Sequence, residues 1–311
     1  MTSFSLKGKK AVIIGAGKSG IALAKFVVRL GGIPRISDNN PAIKLDDEFR
    51  SWARDHNIAI ETGGHTKKFI EEGDCLVVSP GVRIDAPPVQ WAGAKNIPLM
   101  GEVELAYRFC TKPIIAVTGS NGKTTTVNLI KEIIEYSGKK ACLCGNVGTA
   151  FSSQVLDLQN YDYVVLEVSS FQLESISEFK PYIAVWLNFN QNHLDRHKDM
   201  QEYFEAKKRL FMNQTKGDFA VLNAQDPWIA QAVPSVKAAV RYFNDPQSPD
   251  TTAVRNPNHL AVMEVGVILG VSADVCREVF TRFKGVEHRL EFVRNLNGVD
   301  FVNDSKATTA E

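Results

Sequence analysis

The sequence alternates short, uniformly apolar runs with stretches whose apolar residues recur at helical spacing, and this alternation limits the fold more than any other feature. Runs that are apolar at every position are typical of parallel strands buried on both faces. Six runs have this character: AVII (11–14), CLVVS (75–79), IIAVT (114–118), YVVLEV (163–168), AVWLN (184–188) and AVLN (220–223). We therefore predict an α/β protein with parallel sheets.

Two stretches between these runs show the helical pattern. TTTVNLIKEIIEYSG places apolar side chains on one face and ends at Gly138, a typical helix-stop residue. The residues of that face are Val127, Ile130, Ile133 and Ile134. QEYFEAKKRLF follows the same rule and directs Tyr203, Phe204 and Phe211 toward a core. Lys207 and Lys208 are adjacent, so they point in different directions, and the pattern alone predicts that both are solvated.

Composition excludes several functional classes. The chain has 311 residues, 44% hydrophobic and 23% charged, which is typical of a globular protein with two domains of ordinary size. A net charge of +1 provides no general attraction to nucleic acid or to an anionic membrane. MTSFSLKGKK lacks the apolar core of a signal peptide, and no run has the length of a membrane span, so we expect a cytoplasmic protein.

The cysteines fit a reducing compartment. Their number is odd and no CxxC pair occurs, so we interpret them as buried, reduced thiols. They are Cys75, Cys110, Cys142, Cys144 and Cys276.

Two changes along the chain predict boundaries. Polar RFCTK gives way to apolar IIAVT around Pro113, and NLNG near residue 295 is typical of a turn between strands. The predicted domains are therefore 1–110, 111–295 and 296–311.

The first glycine-rich loop follows the run AVII and contains Gly15-x-Gly17-x-x-Gly20. The first glycine permits a tight turn, the second lets a phosphate approach the backbone, and the third lets the helix pack on the strand. Asp38 follows at the spacing of a ribose-binding acid. The motif therefore indicates an anion at a helix N-terminus, and by itself it allows NAD, another nucleotide or an empty turn.

The second loop, IIAVTGSNGKTTTVNLI, is more specific. A buried strand, two glycines, Lys123-Thr124 and a helix follow in the order of a phosphate-binding loop, although Val117 stands where the strict spacing has glycine. Backbone N–H groups would surround the β-phosphate, Lys123 would reach the β/γ oxygens, and the Thr124 hydroxyl would face Mg²⁺. A simple dehydrogenase has no use for such a loop.

Further candidates lie at strand ends. Glu167 ends YVVLEV, where a carboxylate can hold Mg²⁺ opposite the loop. His193 follows AVWLN and is expected at the same edge of the sheet. His193, Asp195 and His197 also have the spacing of a zinc site, but that spacing is weak evidence, and we interpret His197 as an ordinary surface histidine.

Together, these residues resemble the Mur ligase family of peptidoglycan synthesis over the whole chain, and most closely its members that add D-glutamate. The motifs that carry the resemblance are GAGKSG (15–20), SPGV (79–82), TGSNGKTT (118–125), CGNVG (144–148), LEVSSFQLE (166–174), NHLDRH (192–197), EAKKRLF (205–211), EHRLE (287–291) and NDSKAT (303–308). The resemblance implies a Rossmann-like UDP-binding domain that holds no NAD, a central ATP-binding domain and the start of a C-terminal amino-acid-binding domain.

The resemblance implies an activity and two sets of ligands. ATP would phosphorylate the carboxylate of UDP-N-acetylmuramoyl-L-alanine, and D-glutamate would attack the acyl phosphate, with Mg²⁺ as the metal. The implied UDP-substrate residues are Gly15, Gly17, Lys18, Ser19, Asp38, Asn39, Ser79, Gly81 and Asn146. The implied ATP residues are Gly119, Ser120, Asn121, Gly122, Lys123, Thr124, Thr125, Asn258, Arg289 and Asp304, with Lys306 and Thr308 near the amino-acid end.

The implied catalytic residues are Lys123, Glu167, His193 and Lys207. Thr124, Glu167 and His193 would ligate Mg²⁺, and Lys207 matches a family lysine that becomes a carbamate and then supports the metal. The family usually has aspartate before the histidine, and Asn192 stands there instead. We also expect a monomer that uses neither nucleic acid nor membrane as a partner.

The chain ends at Glu311, a few residues after NDSKAT, so we expect a fragment that binds the UDP-sugar but ligates poorly. The alternatives are another Mur or folylpolyglutamate-type ligase, an NAD-dependent oxidoreductase with a fortuitous second loop, and a non-catalytic nucleotide-binding module.

Overall fold

The computed structural model describes residues 4–194, 196–248, 254–287, 291–296 and 298–305. Two compact units divide the chain. The first unit contains residues 1–112, 144–160 and 168–180, and the second contains 113–143, 161–167 and 181–311.

The first unit is built on a parallel sheet with helices between its strands. Its elements from residue 10 to 107 are β1 (Lys10–Ile14), α1 (Lys18–Arg29), β2 (Ile33–Asp38), α2 (Asp47–Asp55), β3 (Ala59–Thr62), α3 (Lys67–Glu71), β4 (Cys75–Val78), α4 (Pro87–Ala94), β5 (Leu99–Gly101) and α5 (Glu102–Tyr107). The described strands are ordered β3-β2-β1-β4-β5, and every pairing is parallel. The order reverses between β1 and β4, which is where an open α/β sheet has its binding crevice.

The second unit has its own parallel sheet. Its strands are β6 (Ile114–Thr118), β7 (Ala141–Gly145), β8 (Tyr163–Glu167), β9 (Ile183–Trp186), β10 (Phe219–Asn223) and β11 (Ala239–Phe243). Their order among the described residues is β11-β10-β9-β6-β8-β7. Its helices are α6 (Lys123–Tyr136), α9 (Met200–Lys208), α10 (Pro227–Ala232), α11 (Pro257–Leu269) and α12 (Ala273–Arg282), and α7 (Phe151–Gln154) and α8 (Ser170–Glu174) belong to the first unit.

The buried strands confirm the interpretation of the apolar runs. Each of the six runs forms a strand, and the strands β6, β8 and β9 at the centre of the second sheet are almost wholly buried. The face of α6 that the sequence selected is also buried, and Gly138 follows α6 with a left-handed φ of +83°. The sequence did not single out β2, β3, β5, β7 or β11. Of these, β3 and β5 are short, and β2 and β11 carry charged residues.

Two excursions of the middle chain pack with the first unit. Residues 144–160 lie between β7 and β8, and residues 168–180 lie between β8 and β9, yet both are grouped with residues 1–112. The two compact units therefore contain segments that are not continuous in sequence. The continuous domains 1–110, 111–295 and 296–311 stay a prediction.

A hairpin follows the second sheet. β12 (Glu291–Leu296) and β13 (Val299–Asn303) pair antiparallel, and the backbone N–H of Gly298 donates to Asn295 Oδ1 at 3.1 Å in the turn. The predicted NLNG turn between strands is therefore confirmed. Of the cysteines, Cys110 is half-buried and the other four are buried, and all five are free thiols. Throughout the described part of the chain, no helix has both the length and the apolar character needed to cross a bilayer.

Candidate nucleotide-binding sites

The first glycine-rich loop joins β1 to α1 with a tight turn. Gly15 has a φ of +99°, and a Cβ atom at Gly20 would overlap the Gly15 carbonyl oxygen. Gly17 caps α1 without a side-chain hydrogen bond, and its own Cβ position has open space around it. The N–H groups of a first helical turn have no partner within the helix, so they are available to an anion.

A cavity of about 520 Å³ opens in front of this loop. Its lining residues are Gly15, Gly17, Lys18, Ser19, Ala22, Ser79, Pro80, Gly81, Gly145, Asn146, Gly148, Thr149, Ala150, Ser153 and Gln172. One wall comes from the β1 and β4 ends of the sheet, and the second wall comes from the two excursions. Seven residues expected to bind the UDP-substrate therefore lie together: Gly15, Gly17, Lys18, Ser19, Ser79, Gly81 and Asn146.

Asp38 and Asn39 lie outside that lining. The Asp38 carboxylate accepts the Ala16 N–H at 2.6 Å and the Asn40 N–H at 2.8 Å, while Asn39 is exposed. Asp38 therefore holds the backbone of the glycine loop in this structure.

The second loop joins β6 to α6 and is held from the segment after β9. Gly122 has a φ of +80°, and a Cβ atom there would lie 2.5 Å from Asn258 Oδ1. Asn188 Oδ1 accepts the Asn121 N–H at 2.9 Å, and Asn188 Nδ2 donates to the Asn121 carbonyl oxygen at 3.2 Å. The hydroxyl of Ser120 accepts the Asn190 N–H at 2.9 Å. These bonds fix the loop backbone before a ligand arrives.

Two lysine amines converge on one carbonyl oxygen of this loop. Lys123 Nζ donates to the oxygens of Gly119 at 2.9 Å and Ser120 at 2.8 Å. Lys207 Nζ donates to the same Gly119 oxygen at 2.9 Å and to Thr118 Oγ1 at 3.3 Å. Burial and the Lys123 charge lower the pKa of Lys207 well below its usual value, and Glu167 opposes them. The lowered pKa therefore reflects mainly the loss of solvent around the amine and, second to that, the repulsion between it and Lys123.

The prediction that Lys207 is solvated is wrong. Its side chain is 1% exposed, and its Nζ lies 4.7 Å from the centre of the Tyr203 ring. Tyr203 is wholly buried, and its hydroxyl lies 3.2 Å from Ser120 Oγ. Helix α9 packs its aromatic face inward as expected, and this brings the neighbouring lysine under the loop. Lys208 remains partly exposed.

A buried carboxylate completes the charged group. Thr124 Oγ1 donates to Glu167 Oε2 at 2.8 Å, and Glu167 is 2% exposed. Lys123, Thr124, Glu167 and Lys207 thus lie together, as the resemblance implied and as the helical pattern alone did not. Within the described ranges, no group of three or more His, Cys, Asp or Glu side chains is arranged to hold a metal.

His193 lies beside this group, on the Tyr203 ring, with ring centres 6.0 Å apart. Its φ is +56°, a left-handed conformation that is uncommon for histidine, and its N–H donates to Asn192 Oδ1 at 2.8 Å. Asn192 therefore supplies the acceptor oxygen that an aspartate would supply, without the charge.

The interpretation of His197 as a surface histidine is wrong. It is 2% exposed because its ring packs 5.1 Å from the Tyr203 ring, and burial lowers its pKa.

Asp195, the third residue of the zinc-like spacing, lies outside the described residues, as do Arg289, Lys306 and Thr308. Thr125 is half-buried in the first turn of α6, and Asp304 is exposed after β13.

Sequence reasoning missed the residues that support both sites. Asn188 and Asn190 hold the second loop, and Gly148, Ser153 and Gln172 extend the second wall of the cavity. Runs of asparagine directly after a buried strand were the available signal for the first pair. Gly148 and Gln172 lie in the motifs CGNVG and LEVSSFQLE, but no local pattern shows that the fold brings these segments to the first glycine loop.

Comparison with known proteins decides the family. The Mur ligase middle domain model matches residues 117–268, and the Mur ligase MurD-like N-terminal domain model matches residues 9–101. A UDP-N-acetylmuramoylalanine–D-glutamate ligase of Koribacter versatilis is 38% identical, and the match covers 98% of this chain and 74% of that protein. The ligase of the same name from Thermoanaerobacter sp. has the same identity and coverage. The chain belongs to the Mur ligase family.

The fold is also similar to that of a solved ligase structure. The crystal structure of UDP-N-acetylmuramate:L-alanyl-gamma-D-glutamyl-meso-diaminopimelate ligase from Neisseria meningitides superposes with a TM-score of 0.61 at 16% identity, covering 90% of this chain and 99% of that one. Mur ligases are ATP-dependent amide ligases, so the second loop has a use that an oxidoreductase does not offer. The first glycine loop lies within the residues that the MurD-like N-terminal domain model matches.

Proposed function

We propose that this Mur ligase adds D-glutamate to UDP-N-acetylmuramoyl-L-alanine in the cytoplasm, at the expense of ATP, as a monomer. The amine donor and the acceptor are those named for the curated relatives, which are 34–38% identical over nearly the whole chain. The residues that would bind ATP and the UDP-sugar are those assigned to the two loops from the sequence.

The single observation that carries the proposal is that two lysine amines donate to the Gly119 carbonyl oxygen. Lys123 Nζ also donates to the Ser120 carbonyl oxygen at 2.8 Å, and Lys207 Nζ donates to Thr118 Oγ1 at 3.3 Å. The charge of Lys123 and the buried amine of Lys207, gathered at one phosphate-binding loop, suit a triphosphate that gains charge at its transferring group. Lys123 would move from the loop carbonyls to the β/γ oxygens, which are better acceptors because they carry charge.

The cavity of the first unit supports the acceptor assignment. A diphosphate placed at the N-terminus of α1 would receive first-turn N–H groups and the Lys18 charge. The volume of about 520 Å³ lies within the range of small-molecule sites. The Asn146 amide on the second wall would then face the sugar side of the diphosphate.

The residues around the second loop fit a magnesium ion. Thr124 and Glu167 offer a hydroxyl and a buried carboxylate, which are the oxygen donors that Mg²⁺ prefers, and His193 would lie nearby. Lys207 would add a second anionic oxygen as a carbamate, because burial keeps its amine in the neutral, nucleophilic form that reacts with CO₂. When bound, Mg²⁺ would neutralise the phosphate oxygens during transfer.

Phosphoryl transfer would solve a leaving-group problem. The carboxylate oxygen of the L-alanyl group attacks the γ-phosphorus and ADP leaves, which gives an acyl phosphate. The D-glutamate nitrogen then attacks the carbonyl carbon, loses a proton and expels inorganic phosphate, forming the amide. Lys123 stabilises the charge that develops on the transferring group, and the fixed loop backbone keeps it aligned.

Isothermal titration calorimetry of the 311-residue chain with UDP-N-acetylmuramoyl-L-alanine, and with NAD as the matched control, tests the acceptor assignment. We expect saturable binding of the UDP-sugar and none of NAD. Binding of NAD alone would remove the proposal. Phosphate release with UDP-sugar, D-glutamate and Mg-ATP then tests the expectation that this length of chain ligates poorly, and ordinary steady-state turnover would contradict that expectation.

A further inference from the structure

The second wall of the cavity comes from chain segments that are distant in sequence from the first wall. Gly145, Asn146 and Ser153 come from residues 144–160, and Gln172 comes from residues 168–180. If these excursions shifted, the cavity would widen while every residue of the glycine loop stayed in place. What holds the excursions therefore decides the shape of the site.

The first excursion is held by Glu102, the first residue of α5. Glu102 Oε1 accepts the Ser152 N–H at 2.6 Å, and the carboxylate is only 3% exposed. Helix α7 begins one residue earlier, at Phe151, and its own cap residue Ala150 provides no side-chain acceptor. Glu102, which belongs to α5, thus provides the cap that α7 lacks. The capped residue, Ser152, lies two residues after Ala150, which lines the second wall.

The second excursion is held by Glu104, two residues further along α5. Its carboxylate is wholly buried and accepts the N–H groups of Ser177, Glu178 and Phe179 at 2.9 to 3.1 Å. Arg108 Nη2 donates to the same carboxylate at 3.0 Å. Burial alone would raise the pKa of Glu104, but these donors outweigh burial and lower it. The carboxylate therefore fixes the segment directly after α8, which carries Gln172.

Gly101 closes the corner between β5 and α5. Its N–H donates to the Ser175 carbonyl oxygen at 3.3 Å, and a Cβ atom at this position would overlap Ser175 Oγ. The backbone of residues 168–180 can approach β5 only because residue 101 has no side chain. Gly101, Glu102 and Glu104, which we name the β5–α5 corner, therefore contact both excursions within four residues of chain.

We propose that Glu102 and Glu104 are positioning residues for the UDP-sugar site: they set the distance between the two walls of the cavity without touching the ligand. Neither residue lines the cavity, and neither has a part in the reaction described above. The inference rests on the proposed function, because it names what shapes the acceptor site.

The test compares affinities for two ligands in single variants of the 311-residue chain. Glu102→Ala removes the cap of α7, whereas Glu102→Gln keeps an acceptor oxygen. Asp46→Ala is the matched control, because Asp46 also caps a helix, accepting the Phe49 N–H at 2.7 Å in α2, away from the cavity lining. Calorimetry measures the Kd of UDP-N-acetylmuramoyl-L-alanine and of Mg-ATP, and thermal unfolding measures Tm.

We expect Glu102→Ala to raise the UDP-sugar Kd about tenfold or more, as the loss of one buried acceptor would predict. The Mg-ATP Kd should stay unchanged, and Glu102→Gln should recover most of the UDP-sugar affinity. Asp46→Ala should lower Tm by about as much as Glu102→Ala does, and it should leave the affinities for the UDP-sugar and for Mg-ATP unchanged. Equal UDP-sugar affinities in Glu102→Ala and Asp46→Ala would overturn the inference, while absent binding in the unmodified chain would instead overturn the proposed function.

Glu104 is tested with a gentler pair of variants. Glu104→Gln keeps an acceptor for the N–H groups but loses the charge opposite Arg108. Glu178→Gln is its control, because Glu178 is an exposed partner of the same arginine, at 3.0 Å. A UDP-sugar Kd that rises several-fold in Glu104→Gln alone is the expected result, and equal affinities in the two folded variants would contradict the role of Glu104.

Discussion

The two glycine-rich loops share one plan, a buried parallel strand followed by a turn and a helix, yet their surroundings differ. The loop after β1 faces an open cavity, with Lys18 as the charged residue of its lining. The loop after β6 lies against two lysine amines and next to a threonine–glutamate pair. We expect the first loop to bind an anion, and the second loop to stabilise the charge that develops on a phosphate during its transfer.

If the proposed function holds, each glycine loop would determine where a phosphate lies, and the neighbouring side chains would determine what happens to it. Backbone N–H groups would bind phosphate in both places. Only at the second loop does the fold add buried groups that respond to charge, because α9 carries Lys207 and β8 ends in Glu167. The first loop is therefore expected to bind and the second to catalyse.

The largest effect is expected from a methyl group in the first loop. Gly20→Ala would place a Cβ atom against the Gly15 carbonyl oxygen, so the turn must shift, which we expect to lower the free energy of unfolding by about 3 kcal/mol and to abolish UDP-sugar binding. Gly17→Ala is the control, since a Cβ atom at this position has open space around it. This variant should leave Tm unchanged but weaken the binding of the UDP-sugar. Urea unfolding and calorimetry measure both. Equal Tm values for the two variants would contradict the claim that the first loop requires a glycine at position 20.

The second effect separates the loops by ligand. Lys123→Ala should weaken Mg-ATP about 100-fold, as expected for loss of one partner of a buried charge pair, and leave the UDP-sugar affinity unchanged. Lys208→Ala, adjacent to the buried Lys207 and itself partly exposed, is the matched lysine control. A change in UDP-sugar affinity as large as that for ATP would mean that the two loops do not act separately.

The third effect is a pH dependence that only the second loop should show. The pKa of Lys207 is lowered in the folded protein, so between that value and the unfolded value of about 10.4 the unfolded chain binds a proton that the native chain does not. The free energy of unfolding should therefore rise with pH across that window, in bicarbonate-free and metal-free buffer. Lys207→Met should remove this part of the slope. An unchanged slope in the variant would show that the amine is not held neutral.

A smaller effect is expected at Asp38. Asp38→Ala leaves the Ala16 N–H without its acceptor and should cost about 1–3 kcal/mol in the free energy of unfolding, with a modest loss of UDP-sugar affinity. Asp38→Asn keeps an acceptor oxygen and should lie close to the unmodified protein in urea unfolding. If Asp38→Ala lost affinity without losing stability, Asp38 would be a direct ligand contact, as the resemblance suggested.

The smallest effect is expected at the surface of the first unit. Arg29 and Asp157 form a bidentate pair at 2.7 Å that links α1 to the first excursion, but both side chains are about half exposed. Arg29→Ala should therefore cost less than about 1 kcal/mol and leave UDP-sugar affinity nearly unchanged. A tenfold loss of affinity would mean that this exposed pair, and not the β5–α5 corner, positions the second wall.

The sequence predicted the elements that depend on local pattern. Runs such as IIAVT and YVVLEV are apolar throughout because both faces of their strands are buried, and such runs carry their assignment within themselves. Strands such as β3, with AIET, gave no such signal, because an edge strand tolerates charge. The glycine loops were equally readable, although the second departs from the strict spacing at Val117.

By itself, then, the sequence determined the α/β class, the positions of the two glycine-rich loops and the approximate ends of the central strands. Tertiary structure alone decided that Lys207 is buried rather than solvated, that Asp38 supports a loop rather than lining the cavity, and that residues 144–160 and 168–180 join the first unit. The physical reason is range. Strand and turn preferences act over a few neighbouring residues, whereas burial, pKa and the shape of a cavity depend on groups that only the folded chain brings together.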